Sequence, residues 1–144
     1  MANAAVLPDN VWDRLHQSGL RLTNIRRELV LLFAREGRCL TPQELYRLAE
    51  SSGLQPGLAT VYRLVEALTA AGLCRAYPQA NRTTRYVFCP PGHHHHLICR
   101  RCWQVIDLHD CQIEPPPDLP FPMEEHVVDF FGLCAACRAA EDGH

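Results

Sequence analysis

With 144 residues, 47% of them hydrophobic, the chain has room for one or two small cores and none for a large enzyme. The net charge of −2 conceals an asymmetry: residues 1–86 hold 11 Arg against 7 acidic side chains and residues 87–144 hold 3 against 9, so a basic half that can face a polyanion adjoins an acidic half with another task. No apolar run approaches the roughly 20 residues of a membrane-spanning helix, and the first residues lack a charged region ahead of an apolar core, so the expected setting is cytoplasmic with the eight cysteines kept reduced.

In chain order, Asp9 to Ser18 carries Val11, Trp12 and Leu15 at helical spacing and stops at Gly19. After Thr23, Ile25, Leu29, Leu32 and Phe33 fall at i, i+4, i+7 and i+8, the stripe of an amphipathic second helix ending near Gly37. Thr41-Pro42-Gln43-Glu44 combines a capping residue, proline at the first helical position and Glu at the third, so a third helix starts there with Leu45, Leu48 and Ala49 inward. Pro56-Gly57 then separates it from a fourth helix, whose Val61, Leu64, Val65 and Leu68 share one side until Gly72.

The opposite face of the fourth helix carries Ala59, Tyr62, Arg63, Glu66 and Ala70, with Thr60 in its first turn. Small residues for close approach, a guanidinium for the guanine edge and a hydroxyl or aromatic group form the layout of a recognition helix. An Arg63–Glu66 pair on a solvated face would produce the same pattern. Cys74 to Tyr77 and Thr84 to Cys89 are extended runs joined by the polar turn Pro78-Gln79-Ala80-Asn81-Arg82, which predicts a two-stranded wing. Arg82 and Arg85 are expected beside the phosphate backbone, and Arg21 and Arg26 complete the basic set. All 14 basic residues are Arg, suited to bidentate phosphate and guanine contacts.

From Cys89 the composition changes. Two Cys-x-x-Cys pairs, Cys99/Cys102 and Cys134/Cys137, can complete a closed tetrahedral four-thiolate site, which suits zinc and joins the end of a domain to its start. Between Cys89 and Cys99 lie His93, His94, His95 and His96, followed by Leu97-Ile98. Read as a strand, they alternate, so His93/His95 and His94/His96 point to opposite faces and belong to two separate metal sites. For the His94/His96 face the nearest upstream soft donor is Cys89; for the His93/His95 face Glu114 and His126 are available downstream. Asp107, His109, Cys111, Cys74, Cys39 and His16 are left unassigned by spacing.

Taken together, Gly57-Leu58-Ala59-Thr60-Val61-Tyr62-Arg63, the segment His96-Leu97-Ile98-Cys99-Arg100-Arg101-Cys102 and Cys134-Ala135-Ala136-Cys137 resemble the ferric uptake regulator superfamily of metal-dependent repressors. The resemblance runs from about Trp12 to Cys137. It implies an α+β fold: an N-terminal winged-helix DNA-binding domain over residues 1–88 and a small α/β dimerisation domain with structural zinc over residues 89–144. It implies a homodimer on a double-stranded DNA operator, with no catalytic residue, small-molecule substrate or membrane. By the same resemblance, Cys99, Cys102, Cys134 and Cys137 hold structural zinc, and Cys39, Cys89, His94 and His96 form the sensory site. His93, His95, Glu114 and His126 match a third site, for two or three Zn2+ per chain, and Asp107 matches a carboxylate that some relatives bring to the sensory site.

Two thiolates and two imidazoles favour zinc over iron(II), which is similar to the zinc uptake regulator branch. The alternatives are an iron or peroxide sensor on the same scaffold and, more remotely, a small metallohydrolase using His93, His95 and His126 with Glu114 as base. The chain departs from the resemblance at residues 114–122, Glu-Pro-Pro-Pro-Asp-Leu-Pro-Phe-Pro, which cannot form a helix interior.

Overall fold

The computed structural model describes residues 7–143. Most of the segment read above for an export signal lies outside them. The chain divides into two compact units that meet at Pro91 and Gly92. Among the described residues no helix is long and apolar enough to cross a membrane.

The first unit contains α1 (Asp9–Gln17), α2 (Asn24–Glu36), α3 (Pro42–Ser51), α4 (Leu58–Ala70), β1 (Cys74–Pro78) and β2 (Thr84–Phe88). Its helix ends follow the local chemistry. Thr23 Oγ1 accepts the Arg26 N–H at 3.4 Å at the start of α2, and Gly37 ends that helix with φ of 64°, a left-handed conformation that costs glycine little. At α3 the capping box closes: Thr41 Oγ1 accepts from Glu44 N–H at 3.1 Å and Glu44 Oε2 from Thr41 N–H at 3.3 Å. The predicted stripe of α4 is buried in full, Val61, Leu64, Val65 and Leu68, against Val11, Leu15, Leu29, Phe33 and Leu45. Burying each such side chain is worth about 1.5–3 kcal/mol, which makes this stripe the main tie of α4 to the core.

β1 and β2 pair antiparallel from Cys74↔Phe88 to Pro78↔Thr84. Leu40 adds a bridge to Tyr86, with reciprocal backbone hydrogen bonds of 2.8 Å. The wing is thereby stitched to the residue that leads into α3, a link that the sequence pattern does not contain.

The second unit is a three-stranded sheet in the order β4-β3-β5, with β3 (His95–Cys99) central, β4 (Val105–Leu108) antiparallel to it and β5 (Asp129–Gly132) parallel, followed by α5 (Ala135–Asp142). β3 begins at His95, so His93 and His94 precede the strand. The β3–β4 turn is tight: Trp103 N–H donates to Cys99 O and Cys99 N–H to Gln104 O, both at 3.0 Å, with Trp103 at φ 64°. Residues 109–128, which include the proline run, form neither helix nor strand, since prolines lack the amide proton that either ladder needs.

Leu97, Ile106 and Phe130 are direct cross-strand neighbours. They are 38%, 48% and 45% exposed, a continuous apolar row over one face of the sheet. On the other face His96 pairs in register with both Asp107 and Asp129.

Candidate metal centres and nucleic-acid interface

Cys99 ends β3 and Cys102 lies in the tight turn after it, while Cys134 caps the start of α5 and Cys137 lies in its first turn. Their four sulfurs lie within 4.8 Å of one another, with Cys102 Sγ and Cys134 Sγ 3.8 Å apart. Two sulfurs on one tetrahedral zinc, with bonds of about 2.3 Å, stand roughly 3.8 Å apart. The protonation pattern fits a cation as well. The Cys102 and Cys134 backbone amides hold the Cys99 thiol down to about 6, while hydrogen bonding to Cys134, burial and the other sulfurs push Cys137 up to about 12. Four adjacent thiols cannot all ionise unaided, and a divalent ion removes that conflict.

The four histidines divide into His93 with His95 and His94 with His96, although only His95 and His96 lie in β3 and the expected strand does not include His93 and His94. His94 Nε2 and His96 Nε2 approach to 3.1 Å, close to the roughly 3.3 Å between two imidazoles that share one tetrahedral ion with bonds of about 2.0–2.1 Å. His96 is fully buried. Its Nδ1 lies 3.4 Å from Asp129 Oδ1 and its Nε2 lies 3.6 Å from Asp107 Oδ1. A carboxylate behind a ligating imidazole fixes the tautomer and raises ligand basicity. Asp129 was missed by sequence reasoning because it reaches His96 only through the parallel register of β5.

Cys39 and Cys89 are buried in the first unit. They neighbour Cys74, whose thiol is pushed well above its ordinary value by burial and then by Cys89 and Cys39. Cys74 packs as part of the apolar core, as an un-ionised thiol does.

On the opposite side of the histidine run, His93, His95, His126 and Cys111 present donor atoms all within 4.8 Å of one another. Glu114, expected with the three histidines, does not join this cluster; it lies on the exposed proline-rich segment, and Cys111 occupies the fourth position instead. Burial, then His93, His126 and His94, lowers the His95 pKa. His95 Nδ1 is buried without a full hydrogen bond, the Val128 backbone offering only a weak contact.

On the first unit, Tyr62 and Arg63 are exposed on α4, and Thr60 is half-buried in its first turn. Arg63 forms no ion pair with Glu66 among the described residues, and both side chains are exposed. Tyr62, Arg82, Thr83, Pro42 and Gln43 line a shallow groove of about 220 Å³ between the helix starts and the wing tip. Arg85, expected beside phosphate, is turned inward instead: Nη1 and Nη2 donate to the two Glu44 carboxylate oxygens at 2.9 and 3.0 Å, and Nη1 also to Cys39 O at 3.1 Å. Arg26 folds its Nη1 onto the Arg21 carbonyl at 2.7 Å, while Arg21 is exposed.

Residues 17–119 match the profile of the Ferric uptake regulator family. Similar curated proteins include the ferric uptake regulation proteins of Neisseria gonorrhoeae, 26% identical over 88% of this chain and 92% of that one, and of Bacillus subtilis, 29% identical over 92% and 95%. Among solved structures, the Helicobacter pylori ferric uptake regulator, described as having three functional metal-binding sites, superposes with a TM-score of 0.62 at 22% identity, covering 96% of this chain and 97% of that one. At that identity the likeness establishes the fold alone.

Proposed function

Because the chain belongs to the ferric uptake regulator family, whose members are DNA-binding, metal-responsive transcription regulators and not enzymes, we propose that it is a zinc-responsive repressor. In this reading it acts in the cytoplasm as a homodimer, occupies a palindromic operator when loaded with zinc, and controls zinc uptake genes. Cys99, Cys102, Cys134 and Cys137 hold a structural zinc. Cys39, Cys89, His94 and His96 hold the sensed one.

The observation that carries the reading is the donor chemistry. Two buried thiols in the first unit and a histidine pair at 3.1 Å in the second would together supply a soft Cys2His2 set, which prefers zinc to iron(II) or manganese(II). Chain continuity keeps Cys89 within five residues of His94. The metal itself supplies only coordination bonds; the residues supply the coupling. Ligands drawn from both units would fix the pose of one against the other, so that the two α4 helices of a dimer match successive major grooves about 34 Å apart. The coupling requires that zinc bind the DNA-competent pose more tightly than the others. Tyr62, Arg63 and Thr60 read bases, while Arg21 and Arg82 contact phosphate.

A second reading, an iron(II) sensor, is favoured by the names of the curated relatives and by the Asp107 carboxylate 3.6 Å from His96 Nε2. Operator binding titrated separately with zinc and with iron(II), on wild type and Cys39→Ser, separates the two. The zinc reading expects tight operator binding with zinc only, and a Cys39→Ser chain that keeps one zinc but no longer responds to more. Zinc-dependent affinity unchanged in Cys39→Ser, or a response to iron(II) alone, overturns it.

A further inference from the structure

We propose that Cys111 joins His93, His95 and His126 in a one-thiolate, three-imidazole site for a soft divalent cation, lying wholly within the second unit, and that loading it staples the proline-rich segment to β3. The Cys111 sulfur stands 3.3 Å from His95 Nε2 and 3.1 Å from His126 Nε2. A thiolate and an imidazole on one tetrahedral zinc stand roughly 3.6 Å apart, so small relaxations around an ion reach that geometry. The three imidazoles surround the same point, their ring centres 4.7 to 5.1 Å apart. His95 presents Nε2 to the cluster.

The backbone explains what such an ion would do. Every side chain from residue 109 to residue 125 is exposed. Between Cys111 and His126 no backbone hydrogen bond reaches the sheet among the described residues. The prolines at 115, 116, 117, 120 and 122 exclude a helix that could brace the segment. Both ends of this stretch carry a donor of the cluster, Cys111 and His126, while His93 and His95 lie at the start of the central strand. A cation held by all four therefore closes the loop on the sheet. The thiolate also changes which ion is held, favouring zinc or cobalt(II) over manganese(II) and magnesium. The site does not depend on which metal is sensed through Cys39, because no donor comes from the first unit.

The test uses the full chain carrying Cys39→Ser and Cys89→Ser, with structural zinc retained and checked by elemental analysis, titrated with cobalt(II). One equivalent should produce tetrahedral cobalt bands with a near-ultraviolet thiolate-to-cobalt band. Adding Cys111→Ser should remove that band and weaken cobalt binding by more than the roughly 10–100-fold that loss of a hydrogen-bond partner behind a ligand costs; Glu114→Gln should change neither. In the otherwise unaltered chain, zinc beyond the structural equivalent should slow alkylation of exposed Cys111 and cleavage within residues 112–125. A charge-transfer band that survives Cys111→Ser, cobalt binding abolished by Glu114→Gln, or alkylation of Cys111 indifferent to zinc would each overturn the assignment.

Discussion

Arg82 and Arg85 stand three residues apart on one hairpin and meet different fates. Arg82 sits at the turn with φ 68° and an exposed side chain beside the groove shared with Tyr62. Arg85 forms a two-toothed ion pair with Glu44, the residue that also closes the capping box of α3. Bidentate charge-assisted bonds are the strong kind, and this one connects wing, helix start and the Cys39 carbonyl. Arg82→Ala is therefore expected to reduce the dependence of log affinity on log salt by about 0.9, the loss of one phosphate contact. Arg85→Ala should leave that slope unchanged and lower the stability of the first unit by about 1–3 kcal/mol. Operator binding at several salt concentrations, with denaturant unfolding of both variants, checks the pair; a salt slope that falls for Arg85→Ala would return it to the DNA surface.

At the scale of elements, the two ends of the second unit depend on one another. The end of β3 with its turn and the start of α5 with its cap each supply a Cys-x-x-Cys, and α5 buries no residue of its own. With so little apolar area, the helix has the thiolate cluster as its main anchor, and metal binding becomes folding energy there. Cys102→Ser should remove one zinc per chain by elemental analysis and unprotect α5 and β5 in hydrogen exchange, while α2 and α4 keep their protection. Retained protection of α5 in the zinc-free variant would make the four thiols incidental to the fold. By contrast, α4 is secured by periodic burial, and its boundaries and inward face follow directly from residue spacing.

For the molecule as a whole, the exposed row Leu97, Ile106 and Phe130 is too apolar and too contiguous to be an indifferent surface. A sheet face of this kind suits a second copy of the chain, in keeping with a family whose regulators bind DNA as dimers. Leu97→Asp should shift the protein to monomer in sedimentation at micromolar concentration and lower operator affinity, while each chain keeps its tightly held zinc. A dimer that persists unchanged would place the interface elsewhere.

The helices and their inward faces, the capping box, the hairpin, the four-cysteine grouping and the split of four histidines onto two faces were legible in the sequence. Each is a local or periodic property, and periods of 3.6 and 2 are written directly into residue order. Which distant groups meet was not legible. Glu44 takes Arg85 from 41 positions away, the parallel register of β5 brings Asp129 to His96, and an irregular loop delivers Cys111, rather than Glu114, to the other histidines. These pairings depend on how elements pack and on where a proline-bound segment can travel, and no spacing rule along the chain carries that information.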